Sequence, residues 1–321
     1  MTSRPSSISS SEGRRYLGAF ALGTVLLLGA IAGISAFGYA YGLLDASNRA
    51  LYQYQLGKIR RMPQIDVAFI GDSSLGNAID AALFSDLAGA PAANLALSGS
   101  YGLGGSYNMI RHTLTQHPLR VAIVMQALKT FVRRDAESGY FFTGDGLDEN
   151  LLSPIDVANL YLNFRTVEEI VQQIRRKGLA SETAEIVDDY YPQLPMSGRL
   201  PAAEEAERDP LHPAMVSDAQ IAFIRRIAVI CRANGLTCLY AHGPIYEAYC
   251  RSAQPYIARL NGAIESAGLT VVAGTPICMP LDQLGNTVDH VAPVFKDAYT
   301  RRYFALLAPY LGRLRAAAQP N

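Results

Sequence analysis

The stretch DVAFIGDSSLGNAID, residues 66–80, decides how the chain folds. An apolar run over Ile65–Ile70 stops at Gly71-Asp72-Ser73-Ser74-Leu75, a turn of small and polar residues. It reads either as a strand that ends abruptly to present a serine nucleophile, or as plain turn chemistry. Partners for Ser73 elsewhere in the chain decide between the two.

Short apolar runs recur at Ala93–Leu97, Val121–Met125, Leu236–Ala241 and Leu269–Val272. Helical stretches separate them near 76–89, 103–117, 217–234 and 251–267, with a last one near 294–311. Continuous apolar strands alternating with helices predict a parallel sheet covered on both faces, an α/β doubly wound fold. Residues 131–215 break the rhythm between the third and fourth strands. Ile155–Lys177 reads as one or two helices, and 184–213, with Asp188-Asp189-Tyr190-Tyr191 and several prolines, as an irregular excursion. A segment this long is expected to be a lid, a binding surface or disordered. The aromatic residues at 140–142, 161 and 190–191 suggest either sugar-stacking surfaces or packing.

Lys plus Arg and Asp plus Glu each number 28 among 321 residues, so no basic surface for nucleic acid is expected. Tyr16 to Leu44 carries no charge over about 29 residues, more than the roughly 20 that cross a bilayer. The run is too long for a cleaved signal peptide. Residues 1–15 are then a cytoplasmic tail, 16–44 a transmembrane anchor and 45–63 a short amphipathic connector. The domain from 64 to 321 lies outside, because Arg14 and Arg15 abut the apolar run. The expected location is a single-pass inner-membrane protein facing the periplasm. Cys231, Cys238, Cys250 and Cys278 fit an oxidising compartment and lack zinc-site spacing. Cys250 and Cys278 are expected to pair beside the site, whereas Cys231 and Cys238 read equally as a pair or as buried thiols. No metal or cofactor is implied.

Ligands of open parallel sheets bind beyond the carboxyl ends of the strands. Those ends deliver Gly71-Asp72-Ser73-Ser74, Ser98-Gly99-Ser100, Gln126 to Thr130 and His242, and Asp289-His290 precedes the final helix. A serine attacks carbonyls only with a base and oxyanion donors. His290 is the candidate base, and the Ser73 and Gly99 N–H groups are candidate donors. Asp72 and Ser74 beside the nucleophile, and His242, are candidate substrate contacts. His112, His117 and His212 lie away from that edge.

The order of these pieces resembles the GDSL, or SGNH, hydrolase superfamily. Gly71-Asp72-Ser73-Ser74-Leu75 is similar to its first block, Asn94-Leu95-Ala96-Leu97-Ser98-Gly99 to the second, and Asp289-His290 to the last. The resemblance implies a flavodoxin-like five-strand sheet, Ser73 as nucleophile, His290 as base and Gly99 as oxyanion donor. Two departures matter. Met125-Gln126-Ala127-Leu128-Lys129-Thr130-Phe131 lacks the third block's asparagine, leaving Gln126 or Thr130 to substitute. Thr287 occupies the usual aspartate position, leaving adjacent Asp289 as carboxylate, or a Ser–His dyad. With its anchor and insertion, the chain resembles exported domains that acylate polysaccharides beside a multi-span membrane acyltransferase. The resemblance therefore implies acyl transfer to, or removal from, a carbohydrate hydroxyl, with acetyl the first candidate. A general esterase and a non-catalytic carbohydrate-binding or assembly subunit are the alternatives.

Overall fold

A computed structural model describes residues 10–40, 46–133, 137–144, 154–162, 164–177, 186, 190 and 210–312. Residues 1–9 of the expected tail, Tyr41–Leu44 of the apolar run, and Asp188, Asp189 and Tyr191 lie outside the described residues. The chain divides into two compact units. One comprises residues 1–47 with 151–183, the other 48–150 with 184–321.

The first unit contains the helix α1, Ser10–Ala40. Its stretch Gly13–Gly38 is long and apolar enough to cross a membrane. Two helices from the middle of the chain, α7 (Pro154–Tyr161) and α8 (Phe164–Lys177), pack against it. The sequence places 131–215 together as one insertion in the sheet domain. The structure divides that segment, because α7 and α8 find their apolar partner in the N-terminal helix.

The second unit is built on β1 (Val67–Gly71), β2 (Ala92–Ala96), β3 (Val121–Gln126), β4 (Thr237–His242) and β6 (Thr270–Val271), all parallel in the order β2-β1-β3-β4-β6. A two-stranded parallel pair, β5 (Ile245–Tyr246) with β7 (Cys278–Met279), stands apart from it. The residues of β1, β2 and β3 are all buried, which is why these strands read as continuous apolar runs. Phe69 of β1 meets Phe84 edge-on at 4.6 Å on one face. That face carries α3 (Ser73–Ala78), α4 (Ala81–Ala88) and the C-terminal helix α12 (Lys296–Leu307), which pack on one another and on the sheet. The other face carries α5 (Gly102–Gln116), α9 (Asp218–Ala233) and α11 (Gln254–Ser266), with the short α6 (Glu137–Phe142) against α5 and α10 (Glu247–Ser252) beside β5.

The segment expected to be a plain connector forms α2, Ala46–Arg61, and covers a sheet edge. Gln55 Nε2 donates to the Ala96 carbonyl at 2.9 Å and Lys58 Nζ to the Asn94 carbonyl at 2.7 Å. Both acceptors belong to β2, whose outer side would otherwise offer unpaired carbonyls. His117 bonds the Ile59 carbonyl at 2.7 Å, and His112 reaches Tyr52 and the Thr143 carbonyl. These two histidines hold α2 in place. Cys231–Cys238 and Cys250–Cys278 are both disulfides, the second tying α10 to β7. Tyr140 and Tyr190 are buried, so both are packing residues rather than open stacking surfaces.

Candidate active site

The strand order reverses between β1 and β3, and the crevice beyond their carboxyl ends is where such sheets bind ligands. Two glycines let the backbones close on one another there. A Cβ on Gly71 would stand 1.7 Å from the Met125 carbonyl oxygen, and one on Gly243 would stand 2.1 Å from Ser74 Oγ. Ser73 is the first residue of α3, immediately after β1, and is half-buried.

Asp72 shapes the turn. One carboxylate oxygen accepts from Ser74 N at 3.0 Å and Ser74 Oγ at 2.6 Å. The other accepts from Ala127 N at 2.9 Å and Thr130 Oγ1 at 2.7 Å. Asp72 therefore caps α3 and ties the end of β1 to the loop after β3. Burial raises its pKa above the usual carboxylate value and the nearby Asp289 charge raises it further, while the hydrogen bonds from Ser74, Thr130 and Ala127 oppose the rise. Asp72 and Ser74 are spent on the turn, and neither is open to a substrate.

The same reasoning moves the side-chain oxyanion candidates. Thr130 is buried with its hydroxyl given to Asp72. Gln126 is fully buried and its Nε2 donates to Ser106 Oγ at 2.8 Å, away from Ser73. The backbone candidates stand differently. Among the described residues neither the Ser73 nor the Gly99 N–H is taken up by a hydrogen bond. A Cβ on Gly99 would lie 3.9 Å from Asp72 Cβ, so Gly99 borders the Asp72-Ser73 turn.

His290 sits in a loop pinned at both ends. Leu284 and Val291 form an antiparallel bridge, Gly285 N donates to the His290 carbonyl, and Tyr246 N reaches the Val288 carbonyl. His290 Nδ1 donates to Asn286 Oδ1 at 2.6 Å. That bond puts the ring proton on Nδ1 and leaves a lone pair on Nε2, the nitrogen a base would use. Asp289, the expected orienting carboxylate, is not hydrogen-bonded to the ring. Its Oδ1 accepts from Thr287 Oγ1 and lies 3.8 Å from His290 Nε2. Among the described residues no hydrogen bond joins Ser73 to His290.

His242 is not at the mouth. It is buried, with Nε2 donating to Asn261 Oδ1 at 2.6 Å and Nδ1 facing the Tyr240 hydroxyl at 3.4 Å. Burial lowers its pKa from the usual 6.5 to about 4, against a raising contribution from Asn261. An unfolded chain takes up this proton first, so His242 stabilises the fold above pH 6.5 and that stability is lost as pH falls towards 4. The loss amounts to about 3 kcal/mol at most. Asp72 acts with the opposite sign, since its raised pKa favours the folded state on acidification. The wild type should therefore lose more stability than His242→Gln in denaturant melts taken between pH 7 and 4. Equal losses would contradict a buried neutral His242.

No family model, curated protein or solved structure matches this chain.

Proposed function

We propose that the second unit is a flavodoxin-like, SGNH-like serine enzyme that moves an acyl group, acetyl first among candidates, to or from a carbohydrate hydroxyl. The observation that carries this reading is the half-buried Ser73 at the switch-point crevice, with two unspent N–H groups beside it. An imidazole with a lone pair on Nε2 is held on a loop whose Asp289 charge reaches Asp72 beside Ser73.

In the reaction Ser73 Oγ attacks the ester carbonyl carbon and its proton passes to His290 Nε2. The carbonyl electron pair becomes an oxyanion held by the Ser73 and Gly99 N–H groups. Collapse expels the alcohol, which takes the proton from His290 and leaves acyl-Ser73. A sugar hydroxyl or water then attacks this ester, giving its proton to His290, which passes it to the departing Ser73 Oγ and so restores both groups. Asn286 orients the ring, and Asp289 stabilises the imidazolium.

Asn286→Ala should lower turnover of an aryl acetate on the order of 100-fold, because the ring then loses its fixed tautomer. Asp289→Ala should cost less. The reverse ranking would make Asp289 the orienting group.

The apolar helix and the two disulfides support a membrane-anchored domain in an oxidising compartment, the periplasm by our reading, with a multi-span acyl-supplying partner. A serine-directed fluorophosphonate tests the catalytic assignment. Wild type should label and Ser73→Ala should not. Equal labelling of the two, or none of either, would leave a non-catalytic carbohydrate-binding subunit. The ratio of transfer to hydrolysis, measured with and without an oligosaccharide acceptor, separates a transferase from an esterase.

A further inference from the structure

After β3 the chain offers several hydrogen-bond donors, and the fold uses most of them. Ala127 N and Thr130 Oγ1 go to Asp72, and Gln126 Nε2 goes to Ser106. Lys129 Nζ lies 5.1 Å from the centre of the Tyr249 ring. Arg133 differs from all of these. Its Nη1 donates to the Gly99 carbonyl, which fixes the guanidinium against the open face of that glycine. A Cβ on Gly99 would lie 3.7 Å from Arg133 Nη2, 3.8 Å from Nη1 and 3.9 Å from Asp72 Cβ. The guanidinium therefore borders the same gap as the Asp72-Ser73 turn.

Arg133 is exposed, and among the described residues no carboxylate pairs with it. Among the described residues its remaining N–H groups meet no acceptor. The edge also carries two carboxylates, Asp72 and Asp289, which would repel an anion if nothing offset them. Both are held by other groups, since Asp72 takes its four donors from Ser74, Ala127 and Thr130, and Asp289 is bonded by Thr287. A fixed, unpaired guanidinium at a crevice mouth is suited to a carboxylate, which its planar fork matches in geometry.

We propose that Arg133 reads an anionic group at the mouth of the Ser73 crevice, so that the saccharide taken there carries a carboxylate, as a uronic acid does. The saccharide class rests on the function proposed above, whereas the cation's placement is independent of whether Ser73 reacts.

The test is calorimetric titration of the full chain in detergent micelles. The probes are a short oligogalacturonate and a neutral galactose oligomer of the same length. Wild type should bind the acidic probe about tenfold tighter or more at low salt. Arg133→Met should remove the preference, and Arg133→Lys should keep part of it. Equal affinity of wild type for both probes, undetectable binding of both, or an unchanged preference in Arg133→Met would overturn the proposal. Ser73→Ala should show the wild-type preference. A preference kept by a protein that fluorophosphonate fails to label would overturn the serine-enzyme reading alone.

Discussion

Ser73→Ala is expected to abolish aryl acetate turnover, a loss of at least about 10⁴-fold, with little change in melting temperature. The rate prediction follows from the nucleophile's role proposed for Ser73, since removing the serine from such a constellation costs nearly all of the catalysis. The stability prediction follows from the geometry. Ser73 Oγ makes no hydrogen bond among the described residues, and the residue's structural bond, Asn77 Nδ2 to the Ser73 carbonyl at 2.8 Å, survives the substitution. A clear drop in melting temperature would mean that Ser73 is part of the turn's scaffold. Turnover that persists would place the chemistry elsewhere.

Asp72→Ala is expected to do the reverse, with its main effect on stability. Its carboxylate accepts from two backbone N–H groups and two hydroxyls in a buried place. The hydroxyls can turn to other acceptors, but the Ser74 and Ala127 N–H groups cannot. Each buried orphan costs about 1–3 kcal/mol, so the substitution should cost about 3–5 kcal/mol including the lost cap. Relief of the repulsion from Asp289 offsets part of this. For a domain of this size the melting point should fall by about 10 °C. Asp72→Asn should fall between wild type and alanine, because its amide can satisfy the Ser74 side but presents N–H to Ala127. Chemical denaturation read alongside a thermal melt checks both variants. An asparagine variant weaker than alanine would contradict the assigned hydrogen bonds.

The strands were legible because each of β1 to β4 is a short apolar run ended by polar or small residues. The order β2-β1-β3-β4-β6 was not legible, since apolar runs do not record which neighbour they pair with. α7 and α8 were read as helices, but their association with α1 joins segments more than a hundred residues apart, and no local pattern announces it. In the site, Ser73 opens the helix directly after β1 and Gly99 borders that turn. The polar side chains beside them do not serve as suggested. Asp72, Ser74, Thr130, Gln126 and His242 have suitable chemistry, but the fold uses their polar atoms internally. Asn286 was not legible because only the folded loop brings its amide to the His290 ring. Its signal was the Gly285-Asn286-Thr287 turn, which the Leu284–Val291 bridge folds back onto the histidine. Arg133 belongs to no motif, and only the fold brings its guanidinium to the Gly99 carbonyl.

The most direct test of the account is to mix the full chain with an aryl acetate, quench within the first turnovers, and map peptides by mass spectrometry. One acetyl group is expected, on the peptide containing Ser73, absent in Ser73→Ala and longer-lived in His290→Ala once formed. Acetyl on any other residue, or no acetylated peptide while the ester is still consumed, would contradict it.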